Sequence, residues 1–453
     1  MKFTKFFSIL FLLATVFFGY TSVVEAGSAG SLSGPTSYAV TNIPEDGVVS
    51  PDGTSLYVVT TYMGTGTVRF FTRNVSTGAL SGGVDYSIGM SSYGVAISPD
   101  GTSVYVVNEY GASHGLLTLY SRNTTTGTLS GGSVTYSLPD GAKQILMSPN
   151  GTSVYILSSY NSNGYVTLYS RNTTTGTLSG RVDYLTGKPY TNGFALSPDG
   201  KSLYVTTNDT SNNGFILLYT INASTGTLSG PIVYPVTVGY TVQGITISPD
   251  NKTLYVGTPG PSVSVYARNT TTGTLSGRVD YPANHVISSF VVSPDGYSLY
   301  GNVPGIGFGA PPAYIVLFNR DPSTGSLSGE VDYSAGRSYA PYANFLSPDG
   351  TSLYRVASGS SASSVDFYVR AINGGINVSS NVPATWTITG PTTILDSGTS
   401  QSYPSEPLGP YAITWGPVPG YTTPNPSALT LTFGSSISFS GTYTITPTVN
   451  VHF

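Results

Sequence analysis

The stretch "SPDGTSLYVV" at residues 50–59 decides the fold, because the chain repeats it seven times. Its variants begin at intervals of 45 to 54 residues, at Ser50, Ser98, Ser148, Ser197, Ser248, Ser293 and Ser347. Self-similarity with a period of this length indicates a repeat architecture, in which each unit is one small block of secondary structure. The fold therefore follows from what one unit builds.

One unit predicts four short strands joined by turns. In residues 94–138, "GVAIS" and "TSVYVV" flank the "SPDG" turn, where Pro presets φ and Gly ends the turn. The strands "LLTLYSRN" and "TLSGGSVTY" flank the second turn, "NTTTG", whose Gly can take a positive φ. Seven units of four antiparallel strands, without helices, are typical of an all-β, seven-bladed β-propeller. An open solenoid of stacked sheets is the alternative.

The stretch "GSAGSLSG" at residues 27–34 repeats only the back half of a longer motif, such as "RNTTTGTLSG" at 122–131. The seventh unit supplies its third strand as "SVDFYVRAI", 364–372, and no TGTLSG strand follows it. We expect "GSLSGPTSYAV", residues 30–40, to be the missing fourth strand. This N-terminal strand would close the ring and remove two open sheet edges, which favours a propeller over a solenoid.

Three segments are predicted. In residues 1–26, Lys2 and Lys5 precede a long apolar run, which indicates a signal peptide cleaved after Ala26. Residues 27–373 form the propeller, and the alternating strands of 374–453 predict a small β-sandwich-like domain of immunoglobulin-like or PEGA-like type. We expect Trp386 and Trp415 to lie in the core of that domain. We expect an exported protein without a membrane span after cleavage.

Composition excludes several classes of function. Only 8% of residues are charged, the net charge is −4 and no basic stripe occurs, which argues against nucleic-acid binding. The chain has no cysteine and only three histidines, and these are not clustered, so we expect no metal site and no cofactor. The recurring aspartates of the SPDG turns are explained by turn formation rather than by calcium binding. No G-x-S-x-G elbow supports a serine hydrolase.

The SPDG-x-S-L-Y-V core, followed by a strand and T-G-x-L, resembles the YVTN/lactonase-like seven-bladed propeller superfamily over about residues 30–372. The resemblance implies a bacterial source and either lactone chemistry or an exported surface role. The lactonase branch has a His before a first strand, with Arg and Glu on the same face. The matching places here, such as "GAKQILMSPNG" and "TNGFALSPDG", lack His, and only His285 in "NHVISSFVVSPDG" comes near. We therefore assign no catalytic residue.

The two rims of the predicted ring differ in variability. The SPDG and NTTTG turns share one rim, whereas the variable loops between second and third strands, and between blades, share the other. Residues on loops over a rigid scaffold are the usual carriers of function. The candidate ligand-binding residues on the variable rim are Glu45, Asp46, Glu109, Lys143, Lys188, Tyr190, His285, Arg337 and Tyr339. The alternative is that these are ordinary solvated loop residues.

Two functions remain open at this point. The first is an exported, non-catalytic binding protein of the cell surface, extracellular space or periplasm, with a polar ligand, a glycan or an envelope protein as partner. The second is a lactonase-like hydrolase, with His285 or Glu109 as the base and Arg337 stabilising negative charge. The sequence does not decide whether the protein is an enzyme.

Overall fold

The computed structural model describes residues 30–109, 115–305, 313–335, 343–358, 363–407, 409–431 and 436–446. The predicted signal peptide, residues 1–26, and the candidate residues Arg337 and Tyr339 lie outside the described residues. Within these ranges the regular structure is β throughout, and no helix could span a membrane.

Seven four-stranded antiparallel sheets form seven blades. The N-terminal strand is β1 (Leu32–Val40). Blade 1 consists of β2 (Ile43–Val49), β3 (Ser55–Tyr62), β4 (Thr65–Arg73) and β5 (Leu80–Ser87). Blade 2 consists of β6 (Ser91–Ile97), β7 (Ser103–Glu109), β8 (Gly115–Arg122) and β9 (Leu129–Leu138). Blade 3 consists of β10 (Ala142–Met147), β11 (Ser153–Tyr160), β12 (Asn163–Arg171) and β13 (Leu178–Leu185). Blade 4 consists of β14 (Tyr190–Leu196), β15 (Ser202–Asn208), β16 (Gly214–Ile221) and β17 (Leu228–Thr237). Blade 5 consists of β18 (Ile245–Ile247), β19 (Thr253–Thr258), β20 (Ser262–Arg268) and β21 (Leu275–Pro282). Blade 6 is β22 (Ser289–Val292), β23 (Ser298–Val303), β24 (Tyr314–Arg320), β25 (Leu327–Ser334), and blade 7 is β26 (Asn344–Leu346), β27 (Ser352–Ser358), β28 (Ser363–Arg370) with β1.

The blades close into a ring. The first strands of successive blades touch one another in the order β2, β6, β10, β14, β18, β22 and β26, and β26 returns to β2. Strand β1 pairs with β28 from Leu32 opposite Arg370 to Val40 opposite Ser363. The seven-bladed propeller closed by the N-terminal strand is thus confirmed, and the open solenoid is wrong.

The sequence of each second strand explains how the blades stack. Residues such as Tyr57 and Val58 are fully buried on opposite faces of β3, because a sheet packed on both sides needs apolar side chains on both. Val58 packs against Tyr354 and Val356 of blade 7, and Tyr57 packs against Val104 of blade 2. Every interface between blades is therefore a strip of hydrophobic core.

An arginine at the end of the third strand links most neighbouring blades. Its guanidinium donates from Nε to the tyrosine hydroxyl on the second strand of the preceding blade and pairs with the aspartate of that blade's SPDG turn. The six arginines with their tyrosine and aspartate partners are Arg73 (Tyr354, Asp349), Arg122 (Tyr57, Asp52), Arg171 (Tyr105, Asp100), Arg268 (Tyr204, Asp199), Arg320 (Tyr255, Asp250) and Arg370 (Tyr300, Asp295). We call each set a latch.

The turn aspartates also shape their own turns, as the sequence predicts. Asp52 accepts hydrogen bonds from the Ser50 hydroxyl at 2.5 Å and from the Thr54 amide at 3.0 Å. Burial opposes ionisation, but the hydrogen bonds from Ser50, Thr54 and Arg122 outweigh it and lower the pKa of Asp52 to about 2. Turn formation is confirmed, and the inter-blade latch is a second role of these aspartates.

The latch between blades 3 and 4 is absent. Asn150 replaces the turn aspartate of blade 3, and Ile221 replaces the arginine of blade 4. Both charges are lost together, so neither leaves an unpaired buried partner. A cavity of about 120 Å³ lies there, lined by Asn150, Ser153, Tyr155 and Ile221 among others.

The C-terminal region is also all-β. Its strands are β29 (Asn373–Thr389), β30 (Ile394–Pro407), β31 (Gly409–Trp415), β32 (Tyr421–Thr422), β33 (Ser427–Leu431), β34 (Ser436–Gly441) and β35 (Thr444–Ile445). Five of them form one sheet in the order β30-β29-β31-β33, with β34 parallel to β29, and β32 pairs with β35. Trp386 and Trp415 pack edge to face in its core with centroids 5.9 Å apart, as predicted. The immunoglobulin-like or PEGA-like identity of this region stays a prediction.

Candidate functional site

The first strand of each of blades 1 to 4 contains a β-bulge near its start. The pairing with the second strand skips Glu45, Tyr93, Lys143 and Asn192 in turn. Each of these residues lies five positions before the serine of its SPDG or SPNG turn. A bulge leaves one residue unpaired and re-aims its side chain, so the four blades present one extra residue each at the same end of the ring.

These strands surround a central channel. A cavity of about 320 Å³ is shared by the first strands of blades 3 to 6 and is lined by Gln144, Asn192, Gly193, Phe194, Gly244, Ile245, Ser288, Ser289 and Phe290, with Pro304 beside them. Blades 2 and 3 approach each other closely at Gly94, where a Cβ would lie 2.5 Å from the Lys143 carbonyl oxygen. Of the four bulged residues, Asn192 lines this cavity, and the other three belong to the neighbouring first strands of blades 1 to 3.

Blade 1 carries an acidic pair at its bulge. Asp46 occupies the place of Gly94 in blade 2, and its carboxylate accepts from the Gly47 amide at 2.8 Å and the Val95 amide at 3.1 Å. Burial raises the pKa of Asp46 to about 7, although these two hydrogen bonds act in the opposite direction. Because both its oxygens are engaged by backbone, Asp46 joins blades 1 and 2 and leaves Glu45 as the reactive member.

Glu45 has the properties of a general base at neutral pH. Burial raises its pKa to about 7; the Lys143 ammonium lowers the pKa and the charge of Asp46 raises it. A base works best when its pKa lies near the operating pH. Glu45 is only partly buried, so part of the residue stays accessible to solvent.

Lys143 and Tyr93 stand on the next two blades. The Lys143 Nζ lies 6.0 Å from the centre of the Tyr93 ring. Burial and the negative charges of Glu109 and Glu45 raise the pKa of Tyr93, so its hydroxyl stays a proton donor at neutral pH. Glu109 accepts a hydrogen bond from the Gly141 amide at 3.4 Å. We call Glu45, Asp46, Tyr93, Glu109 and Lys143 the rim cluster.

A second cavity, of about 430 Å³, opens beside Lys143 between blades 3 and 4. We call it the amide cavity. Lys143 is the charged residue in its polar lining. The other polar lining residues are uncharged: Gln144, Ser159, Tyr190, Thr191, Asn192, Asn208, Asn212 and Thr241. The Asn192 side-chain amide donates to the Asn208 side-chain oxygen, and Gln144 Nε2 donates to the Asn192 carbonyl oxygen at 3.3 Å.

The structure brings together five of the nine candidate residues. Glu45, Asp46, Glu109 and Lys143 belong to the rim cluster, and Tyr190 lines the amide cavity. Lys188 does not line the amide cavity, and its Nζ lies 3.8 Å from the centre of the Phe215 ring.

His285 also lies outside the cluster. Its Nε2 is 3.1 Å from Asp332 Oδ2, and its ring stacks on Tyr314 with centroids 4.6 Å apart. Both partners belong to the outer strands of blade 6, so the inter-blade loop directs His285 away from the channel. Arg337 and Tyr339 remain outside the described residues.

Tyr93 and Asn192 are site residues that the sequence reasoning missed. Their signal is positional: each lies five residues before the serine of its turn, where Glu45 and Lys143 also lie. Comparison of that one position across the blades finds all four.

The arrangement suits hydrolysis or binding of a small polar molecule. It brings a carboxylate with a near-neutral pKa, an ammonium group and a phenol hydroxyl close together on three adjacent blades. Among the described residues, no group of three or more His, Asp and Glu side chains could hold a metal ion.

Comparison with known protein families matches part of the propeller. Residues 44–191, which include Glu45, Tyr93 and Lys143, match the family described as lactonase, 7-bladed beta-propeller. No curated protein sequence gives a significant match.

Solved structures share the fold at low identity. They include the periplasmic gluconolactonase of Pseudomonas aeruginosa (18% identity, TM-score 0.55, covering 68% of this chain and 90% of that one). A candidate 6-phosphogluconolactonase from Bacteroides uniformis is also similar (18% identity, TM-score 0.52, covering 77% of this chain and 94% of that one). So is hydrazine synthase of Kuenenia stuttgartiensis (17% identity, TM-score 0.51, covering 77% of this chain and 98% of that one). At this identity the likeness shows the fold alone. The chain therefore has the fold of a seven-bladed β-propeller, and its residues 44–191 are similar to the lactonase family of such propellers.

Proposed function

We propose that the protein hydrolyses a lactone at the rim cluster. The observation that carries the proposal is the Glu45 carboxyl group, whose pKa of about 7 and position beside Lys143 suit a general base at neutral pH. The lactonase family match supports it, because the matched residues, 44–191, contain the whole rim cluster.

In the proposed reaction, ionised Glu45 takes a proton from a water molecule as the water oxygen bonds to the lactone carbonyl carbon. The carbonyl oxygen becomes negatively charged, and the Lys143 ammonium and Tyr93 hydroxyl stabilise it. The ring C–O bond then breaks, and the leaving alkoxide receives the proton held by Glu45. The product is the open-chain hydroxy acid, and Glu45 is ionised again.

Of the two functions that the sequence leaves open, this proposal favours lactone hydrolysis over binding without turnover. It moves the chemistry from His285 and Arg337 to Glu45, because the imidazole of His285 contacts outer strands of blade 6. Export from the cell remains part of the proposal, on the basis of the N-terminal apolar run. The name of the Pseudomonas aeruginosa relative, a periplasmic gluconolactonase, supports the combination of export with lactone chemistry.

The test is hydrolysis of D-glucono-δ-lactone at pH 7 by the purified full chain, followed by acid release and corrected for spontaneous opening. We expect Glu45→Gln to lower kcat/KM by about 10²- to 10⁴-fold, the usual contribution of a general base. Glu330→Gln is the matched control: its carboxyl group also has a pKa raised by burial, but it contacts the loop of His285. We expect this control and His285→Ala to keep the wild-type rate.

Full activity in Glu45→Gln would refute the assigned base. A folded wild-type protein that opens none of a panel of lactones would refute the hydrolase and leave the non-catalytic binding protein as the better account.

A further inference from the structure

We propose that the amide cavity binds an uncharged sugar unit joined to the lactone, so that the substrates are lactones of di- or oligosaccharides. This inference rests on the proposed function for the lactone part, whereas the sugar-binding part stands on the cavity itself. The cavity shares Lys143 with the rim cluster but is not lined by Glu45, Asp46 or Tyr93. A lactone ring held at Glu45 therefore leaves the cavity empty, and a longer substrate is needed to fill both.

The size of the cavity fits this occupant. Its volume of about 430 Å³ lies within the ~300–1,000 Å³ of small-molecule sites. It lies between blades 3 and 4, next to the channel cavity, and the two share Gln144 and Asn192 in their linings. A ligand can thus extend from one cavity to the other past the polar side chains of Gln144 and Asn192.

The lining chemistry selects hydroxyl groups over charged groups. Asn192 and Gln144 present side-chain amides, which both donate and accept hydrogen bonds, as sugar hydroxyls do, and Asn208 supports Asn192 from behind. Asn208 is fully buried and is held by donating to the Asn212 carbonyl oxygen at 3.3 Å and the Tyr240 carbonyl oxygen at 3.4 Å. This network fixes the Asn192 amide, which uses one N–H on Asn208; among the described residues its side chain makes no other hydrogen bond.

Charge argues against a phosphorylated ligand in this cavity. Phosphate sites are usually built from arginines or from several backbone N–H groups. Among the described lining residues the one cationic side chain is Lys143, which the rim cluster already uses. The nearby Lys188 covers the ring of Phe215 instead.

Tyr190 supplies an aromatic wall. Its side chain is 46% exposed although it lines the cavity, so its ring is open to a ligand. A pyranose ring has an apolar C–H face and polar edges, which matches a phenol ring beside amides.

The test uses the full chain carrying Glu45→Gln, so that binding is measured without turnover. Cellobiose and maltose are titrated calorimetrically, with glucose 6-phosphate and gluconate as charged probes. We expect a disaccharide to bind more tightly than either charged probe. Tyr190→Ala and Asn192→Ala in the same background should each weaken disaccharide binding about tenfold.

Tyr62→Ala is the matched control, because Tyr62 is 50% exposed on the same rim, in blade 1, and does not line the cavity. It should leave disaccharide binding unchanged. The proposal is overturned if no disaccharide binds, if the charged probes bind more tightly, or if Tyr190→Ala and Asn192→Ala bind as tightly as their parent.

The outcome is distinguishable from failure of the proposed function. Disaccharide binding that depends on Tyr190, in a protein without lactone hydrolysis, would support the sugar site and refute only the hydrolase. Hydrolysis of glucono-δ-lactone without disaccharide binding would do the reverse.

Discussion

Removal of one latch arginine should destabilise the propeller far more than removal of a surface arginine. In Arg122→Ala the lost side chain is fully buried. Its Nε donates to the Tyr57 hydroxyl at 2.8 Å, and its Nη2 donates to the Ser55 hydroxyl at 2.9 Å. Nη2 also lies 2.9 Å from Asp52 Oδ2, and Nη1 donates to the Gly101 carbonyl oxygen at 3.2 Å.

The size of the stability loss depends on which hydrogen bonds the partners of Arg122 keep. Breaking a buried ion pair by removal of one member costs about 3–5 kcal/mol, because the other charge is left unpaired. Here Asp52 is 37% exposed and keeps its hydrogen bonds from Ser50 and Thr54, and the Tyr57 hydroxyl still donates to the Gly127 carbonyl oxygen. These remaining contacts limit the penalty, so we expect a loss of about 3 kcal/mol, the lower end of that range.

The assay is urea unfolding followed by far-ultraviolet circular dichroism, which reports mainly on the propeller. Both tryptophans lie in the C-terminal region, so their fluorescence follows that region separately in the same samples. Arg181→Ala is the control: Arg181 pairs with Asp183 on the exposed outer strand of blade 3 at 2.7 Å, and such pairs contribute about 0–1 kcal/mol. If Arg122→Ala lowers the free energy of unfolding by no more than Arg181→Ala does, the latch does not stabilise the propeller and the reasoning is refuted.

Three further predictions concern the missing latch and the titrating groups. Asn150→Asp combined with Ile221→Arg should be more stable than the two single variants predict, by about 1 kcal/mol or more in a double-mutant cycle, and simple additivity would contradict a restored latch. The rate of lactone hydrolysis should rise with pH and level off above about 7, because only ionised Glu45 accepts the proton; a flat profile from pH 5 to 9 would contradict this role. Asp52 has a pKa lowered to about 2 in the folded protein, so its contribution to stability is present above its unfolded-state pKa of about 4 and is lost as the pH falls towards 2; Asp52→Asn should make the unfolding free energy fall less steeply over that interval, although the other turn aspartates still titrate there.

Local turn chemistry made most of the fold predictable from the sequence. The Pro and Gly of each SPDG turn fix where two strands meet, and the half motif at residues 27–34 identifies the strand that closes the ring. The latches were also visible in principle. Asn150 and Ile221 depart from the repeat in adjacent units, and only their contact across blades explains why they depart together.

The site was less predictable, because a β-bulge is a property of strand pairing. Glu45 and Lys143 were found through their charge, whereas Tyr93 and Asn192 look like ordinary strand residues until the register skips them. Charge misled at His285, since the loop that carries it folds over Tyr314 and Asp332 on the outer strands. The position of a loop in the sequence does not determine which way its side chains point.

The pairing of β1 with β28 imposes an order of events during synthesis. Leu32 leaves the ribosome about 340 residues before its partner Arg370, a delay of roughly 20–70 s at ~5–20 residues per second. Until then β1 has no partner, and blade 1 lacks the face of blade 7 that covers Val58 and Phe71. The nascent chain therefore exposes apolar surface at both ends of the growing arc, and a stall in translation late in the gene would leave an open ring liable to pair with a neighbouring chain.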